Sequence, residues 1–397
     1  MQSPVAKISK KYVNFVMFRK TFSGICTKFV QISICDMVLH IFNPEHDIAL
    51  AYNRNHLTMP HAAQELRMNL GWIPAIWAND GDAILVDDIE YAIKASSHFK
   101  GPKADCVFVG WGDLSEMSRQ IDAIVPWGWD VTISTALAEA GIEKRVLPDA
   151  DKLNAMRNLS NRKHTTYVLE TLRSGVESNT CGESAYVESA QTIFSLIEKG
   201  RQYVLKAPWS SSGRGVRFVQ GVITPTIEGW VRRIVRQQGG IMLEPYYPKI
   251  WDFGMEFTAC DDGTIVYNGL SLFHTQNNAY VGNVLASEDE KMVMLEKYIH
   301  RDILDEMVNR ICSLFPTIIN HNYVGLFGVD MMVVPREDEK GFLLHPCVEV
   351  NLRRTMGHVA LNLNTSGMDT KRMMSIVHRV NYLLKISELE NNYVKIL

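Results

Sequence analysis

The stretch Tyr203-Val204-Leu205-Lys206-Ala207-Pro208-Trp209-Ser210-Ser211-Ser212-Gly213-Arg214-Gly215-Val216-Arg217-Phe218 admits few local structures. A short apolar run ends in a single lysine. Three serines and two glycines follow, and a second run, Val216 to Val219, returns. That pattern predicts strand, flexible loop, strand. Small residues leave backbone N–H groups free to point at an anion, and Lys206 and Arg214 add positive charge beside the loop. Two readings follow from these residues: a polyphosphate cradle, or an ordinary hairpin with a polar tip.

A second stretch bears on the choice. Tyr323 to Val334 reads as a buried strand carrying one carboxylate, Asp330. A charged turn, Arg336 to Lys340, closes at Gly341, and the chain returns as Phe342-Leu343-Leu344-His345-Pro346-Cys347-Val348-Glu349-Val350-Asn351. Glu349 and Asn351 are two apart, so on a strand both face one side. A hairpin folded at Glu337–Lys340 brings Asp330 near Glu349. Two carboxylates and an amide oxygen form an all-oxygen set that suits Mg²⁺, which takes few protein ligands and completes its shell with substrate phosphates. Buried, unpaired carboxylates are costly. A solvated edge hairpin is the competing reading, and the flanking apolar residues speak against it.

These pieces, in this order and spacing, resemble the ATP-grasp superfamily over roughly the C-terminal three-fifths of the chain. The matching segments are Lys206 with the Ser210–Gly215 loop, Met242-Leu243-Glu244-Pro245-Tyr246-Tyr247, Asp330, and Glu349-Val350-Asn351-Leu352-Arg353. The resemblance implies an α/β (α+β) ATP-grasp fold behind an N-terminal Rossmann-like, pre-ATP-grasp α/β domain. It implies that Lys206 holds the α- and β-phosphates of ATP. The loop Ser210, Ser211, Ser212, Gly213, Arg214 and Gly215 would close over the β- and γ-phosphates. The backbone of Met242–Tyr246 would read adenine, with Glu244 beside the amino group. Asp330, Glu349 and Asn351 would hold Mg²⁺, and Arg353 would meet the reacting phosphate or an acyl-phosphate. An acidic residue past the hinge should hold the ribose; Asp252 is preferred, with Glu256 second. A basic residue in the junction helix touches the α-phosphate in relatives. Lys163 is the candidate and Arg162 the alternate, against a solvated basic pair.

At 397 residues, two or three domains are expected. The 41 basic and 44 acidic residues give a net charge of -3, without the basic excess of a nucleic-acid-binding surface. Seven cysteines, an odd number with no C-x-x-C, argue against a disulfide framework or zinc site and fit a reducing cytoplasm. Residues 1–36 are basic and apolar without a clean period, and lack the long apolar core and small-residue cleavage site of a signal peptide. They read as an extension outside the fold, with Met37 as the native start. The run Phe29–Cys35 is too short and too polar to span a membrane.

Residues 37–150 alternate short apolar runs with helical patterns, as a layer with a parallel sheet would. Val38–Phe42, Ala83–Val86 and Cys106–Val109 are the expected strands. Ala62–Leu70 and Ser134–Ala140 are the expected helices, the latter capped by Ser134. Asn43-Pro44-Glu45-His46-Asp47 follows the first strand, where open α/β sheets bind ligands. It faces substrate, or else Asp47 caps the helix that begins at Ile48. Gly110-Trp111-Gly112 lacks the third glycine of a dinucleotide fingerprint. Residues 151–240 form a junction helix and a lid, and 241–397 the subdomain with the Mg/ATP site. His274, Tyr280 and Asn283 lie on strands that extend toward the reaction centre. Asp252-Phe253-Gly254 and His300-Arg301-Asp302 resemble kinase motifs in the wrong order, without the expected asparagine. His300–Leu314 reads instead as an amphipathic helix.

The implied activity is an ATP- and Mg-dependent ligase joining a small-molecule carboxylate to an amine or thiol through an acyl-phosphate. Neither nucleic acid nor membrane is an expected partner, and a homo-oligomer is left open. A small-molecule kinase and a non-catalytic nucleotide-binding module are the alternatives. The sequence offers no dedicated nucleophilic side chain for the chemistry.

Overall fold

The computed structural model describes residues 37–210, 215–276, 279–337, 340–363 and 372–389. The expected extension 1–36 and the loop residues Ser211, Ser212, Gly213 and Arg214 lie outside the described residues. The described residues form three sheets, each with its own covering helices.

The first sheet holds β1 (Val38–Ile41), β2 (Ala83–Leu85), β3 (Val107–Val109) and β4 (Ala123–Pro126), in the order β3-β2-β1-β4. All its pairings are parallel. Leu39, Ile84 and Leu137 are among its fully buried side chains. Helices His46–Tyr52 and His61–Leu70 connect β1 to β2, Ile89–His98 connects β2 to β3, and Val131–Glu139 follows β4. Strand β4 and the helix Ile89–His98 are additions to the elements expected from sequence. A strand of four residues shows too few repeats for its period to stand out. The helix at 131 begins earlier than expected. Asp130, not Ser134, caps it, through Oδ1 to the Ile133 N–H at 2.9 Å. Ser134 is buried inside the helix.

The expected junction helix is two helices, Ala150–Leu159 and His164–Arg173. Asp149 caps the first, and the turn between them carries Asn161, Arg162 and Lys163. Asn161 turns the chain, its Oδ1 accepting the Lys163 N–H at 2.9 Å.

The second sheet is antiparallel: β5 (Ala185–Val187), β6 (Tyr203–Lys206), β7 (Val216–Val219) and β8 (Ile241–Pro245), in the order β5-β8-β6-β7. Helices Ala190–Leu196 and Pro225–Gln238 cover one face, packing Ile193, Trp230, Val231 and Ile234 onto Tyr203, Leu205 and Leu243. Side chains alternate along a strand, so Val204 and Lys206 take the other face. Glu244, which pairs with Val204, lies on that face too. Strand β8, the expected adenine-reading strand, thus belongs to the same sheet as the lysine strand.

The third sheet has β9 (Trp251–Ala259), β10 (Ile265–Gln276), β11 (Ala279–Leu285), β12 (Gly325–Pro335), β13 (Phe342–Asn351), β14 (Arg372–His378) and β15 (Tyr382–Glu388). The order is β13-β12-β9-β10-β11-β14-β15, with every pairing antiparallel. Phe253, Met255 and Phe257 of β9 join Phe327 and Val329 of β12 against the amphipathic helix Arg301–Ile319. Phe327 stacks between Phe257 and Phe315, with ring centroids 5.3 and 4.8 Å away. The opposite face of β9 carries Asp252, Gly254 and Glu256, so one strand separates core from chemistry. Strands β14 and β15 are also additions to the expected elements. They tie the sheet to the N-terminal layer, where the Tyr382 N–H donates to Asn69 Oδ1 at 2.8 Å. Among the described residues no helix is long and apolar enough to cross a membrane.

Candidate active site

The acidic hairpin has the register that brings the expected oxygen ligands together. Asp330 stands directly across from Glu349, and Gly328 across from Asn351. Met332 pairs with His345, so β13 has extra residues between His345 and Glu349, at a bulge containing Pro346. Proline, which cannot donate to the ladder, is found at such places. Asn351 Nδ2 donates to Asp330 Oδ2 at 3.1 Å. Burial, then the facing Glu349 carboxylate, pushes the Asp330 pKa up to about 7. Among the described residues no group of three His, Cys, Asp or Glu side chains could hold a metal by itself. The set here is two carboxylates and one amide, the partial shell that Mg²⁺ accepts when phosphates supply the rest.

Glu256 lies in the next row of the same sheet face, paired with Gly328. It is 2% exposed, and burial, then the Asp330 carboxylate, pushes its pKa up to about 8. The backbone closes round it: a Cβ at Gly357 or Gly328 would stand 1.9 or 2.5 Å from a carboxylate oxygen. His358 Nδ1 lies 3.1 Å from Oε2, and burial holds that imidazole neutral, its pKa pulled down to about 3. Glu256 therefore extends the acidic face of Asp330. Asp252, at the start of β9, accepts from Thr275 Oγ1 at 2.8 Å and pairs with Lys249. Alternation along β9 is the signal that puts Asp252 and Glu256 on one face.

Cations approach from the second sheet and the junction turn. Lys206 Nζ lies 2.6 Å from Glu244 Oε2 and donates to the Val348 carbonyl at 3.2 Å. It thereby ties the end of β6 to the residue before Glu349. Arg162 does the same from the turn at 160–163. Its Nη1 donates to the Ala207 carbonyl and to Ser210 Oγ, both at 2.7 Å, and its Nη2 to the Ser210 carbonyl at 2.9 Å. The same Nη2 reaches Glu349 Oε1 at 2.5 Å. Arg162 is buried, whereas its neighbour Lys163 is exposed. Of the basic pair, the arginine is the one in the cleft. Tyr246 is 41% exposed, with its ring edge-on to Phe218 at 6.0 Å and its N–H donating to the Gln202 carbonyl at 3.0 Å.

The loop after β1 closes the site from the N-terminal layer. Asp47 does not cap its helix. It grips Arg353, accepting from Nε at 3.1 and 3.2 Å and from Nη2 at 2.9 Å. Arg353 Nη2 also donates to Asn351 Oδ1 at 2.9 Å. Burial acts to raise the Asp47 pKa, but the charge and hydrogen bonds of Arg353 together with the His46 and Arg162 charges outweigh it, and the net shift is downward. His46, Asp47, Arg162, Ser210, Glu349 and Arg353 line one pocket. Of the three residues expected on the strands past the hinge, Asn283 is buried and hydrogen-bonded to Ser271 Oγ at 2.8 Å, and Tyr280 donates to Asn283 Oδ1 at 2.5 Å. His274 instead stacks on Trp251, with centroids 6.4 Å apart.

No protein-family model matches the sequence, and no curated protein matches it. The structure is similar to solved structures that include a putative ATP-grasp superfamily protein from Archaeoglobus fulgidus, 11% identical, covering 89% of this chain and 100% of that one, with a TM-score of 0.47. Another is a biotin carboxylase complex from Campylobacter jejuni, 12% identical, covering 86% of this chain and 75% of that one, at 0.47. A third is N5-carboxyaminoimidazole synthetase from Staphylococcus aureus complexed with ADP, 11% identical, covering 89% and 85%, at 0.46. These are likenesses in overall arrangement; what the site does is read from its own side chains.

Proposed function

We propose that the protein is an ATP-grasp ligase, which uses ATP and Mg²⁺ to activate a carboxylate as an acyl-phosphate and then joins it to an amine. One observation carries the reading. Lys206 and Arg162, from separate elements, both reach Val348–Glu349, so the serine–glycine hairpin and the acidic hairpin meet at one pocket.

Asp330, Glu349 and Asn351 fit a hard divalent cation. The raised Asp330 pKa marks a carboxylate lacking a full countercharge, which such a cation supplies. When bound, Mg²⁺ would neutralise phosphate charge. Lys206 would exchange its Glu244 contact for the α- and β-phosphates; the expected cover over the β- and γ-phosphates falls largely on Ser211, Ser212, Gly213 and Arg214, which lie outside the described residues. Arg162 is the nearer candidate to Lys163 for the α-phosphate, since it is the one already inside. Arg353, held by Asp47, would meet the developing charge on a transferred phosphoryl group. Such catalysis is positioning and charge neutralisation, and needs no side-chain nucleophile for the first step.

The test is a screen of amino acids, peptides and small acids with Mg-ATP and hydroxylamine, reading ADP and hydroxamate together. An acyl-phosphate gives a hydroxamate, and Glu349→Ala abolishes it. ADP with phosphorylated product and no hydroxamate would make the protein a small-molecule kinase. No substrate-dependent ADP release across the pools would make it a nucleotide-binding module.

A further inference from the structure

The ligase reading leaves one chemical need unmet. When an amine adds to an acyl-phosphate, the new bond leaves a surplus proton on nitrogen, and an acceptor must stand within hydrogen-bond reach. Arg162 and Arg353 cannot accept a proton. Lys206 is engaged by the Glu244 carboxylate at 2.6 Å and by the Val348 carbonyl at 3.2 Å.

The loop after β1 holds the missing group. His46 lines the same pocket as Glu349 and Arg353. Its Nδ1 lies 3.0 Å from Asp130 Oδ2, and both side chains are buried. Asp130 is already an acceptor twice over: Oδ1 takes the Ile133 N–H at 2.9 Å, and Oδ2 takes Asn43 Nδ2 at 3.4 Å. A carboxylate that only accepts fixes the ring proton on Nδ1 and leaves the lone pair on Nε2. No hydrogen bond from a described residue occupies Nε2. Gly128 backs the ring closely, since a Cβ there would stand 2.5 Å from Cδ2 and 2.6 Å from Nε2. The charged groups around the imidazole are Asp130 and Asp47 from the N-terminal layer, Arg162 from the junction turn, and Glu349 and Arg353 from β13 and the segment after it.

We infer that His46 is the proton acceptor for a primary amine nucleophile, held in the working tautomer by Asp130; this rests on the ligase reading. The amine first loses its ammonium proton to water. Its nitrogen then adds to the acyl-phosphate carbonyl carbon, and the surplus proton passes to His46 Nε2. The bond from carbonyl carbon to phosphate oxygen breaks, its electron pair leaving with inorganic phosphate. His46 returns its proton to water.

Hydroxylamine separates this role from a structural one, because it is a neutral, strong nucleophile near neutral pH and does not depend on a base. With the acid that gives a hydroxamate in the screen above, two products are measured: hydroxamate, and amide formed from a pool of the proteinogenic amino acids, ethanolamine and putrescine. In His46→Gln, amide formation falls about 100-fold or more while hydroxamate stays within about threefold. Asp130→Asn keeps the helix cap and the hydrogen bond but not the fixed tautomer, and shows the same split at about 10-fold. An equal fall of both products in the two variants, or an undiminished amide rate, overturns the inference. So does a wild type that makes hydroxamate but no amide from the pool. A wild type that makes no hydroxamate fails earlier, at the ligase reading itself.

Discussion

Asp47 and Asp330 sit on different layers beside one cleft, and their surroundings push them in opposite directions. Asp47 meets a guanidinium through three short contacts, and its pKa goes down although burial acts against it. Asp330 meets another carboxylate, and its pKa goes up to about 7 although Arg353 and Asn351 pull it down. The N-terminal loop is electrostatically complete and serves to hold Arg353 still. The acidic hairpin is the incomplete wall: Asp330 faces Glu349 without a full countercharge, which a cation would supply under the proposed function.

The largest expected effect comes from the incomplete wall. Asp330→Asn and Glu349→Ala lower Mg-ATP turnover by about 1,000-fold, the scale on which a preorganised charge is lost. Without metal, Asp330→Asn melts a few degrees higher than wild type, because a like-charge contact is removed. A thermal scan showing it less stable would erase the contrast with Asp47. Next come the two basic neighbours. Arg162→Ala lowers turnover about 100-fold and Lys163→Ala about twofold or less, in the same steady-state assay; equal effects would mean that burial at the turn does not choose between them.

On the complete wall, Asp47→Ala leaves the Arg353 guanidinium without its main partner and lowers unfolding stability by about 3 kcal/mol in urea titration. The smallest effect is on the pH dependence of melting. Asp330 and Glu256 have folded pKa values above their unfolded ones, so the folded state holds the extra protons. Their share of stability is full below about pH 4 and is lost as pH rises through about 7 and about 8. Metal-free protein therefore melts lower as pH rises across that window, and MgADP flattens the Asp330 part of the slope. Asp47 slopes the other way: its share is present above about pH 4 and fades as the solution becomes more acidic. Asp330→Asn should flatten the upper window alone, and Asp47→Ala the acid end alone.

The hairpins are legible because strand alternation is a local rule. Two residues apart on β13 means one face, and that spacing alone places Glu349 and Asn351 together. The same rule puts Glu256 on the face of Asp252, yet the choice of roles between them needs the neighbouring strands. Asp252 finds Lys249 and Thr275, while Glu256 finds Asp330 and the close backbone of Gly357. The choice between Lys163 and Arg162 depends on how the chain turns between two helices, and a helix pattern running through that turn hides it. Strand β4 is too short for its period to show, and apolar residues on both faces of β14 blur its alternation; in β15 the alternation of Tyr382, Leu384 and Ile386 is present in the sequence, although that strand is not among the expected elements.

From its order of residues alone this chain determined the lysine-ended strand, the acidic hairpin and the amphipathic helix behind it, since each follows from spacing within a dozen or so neighbours. Tertiary structure decided what those pieces meet. Asp47 and Arg353 lie far apart in sequence, as do His46 and Asp130, and Arg162 and Glu349. Charges so distant along the chain are paired only when whole layers dock, because no local periodicity carries the position of one sheet relative to another.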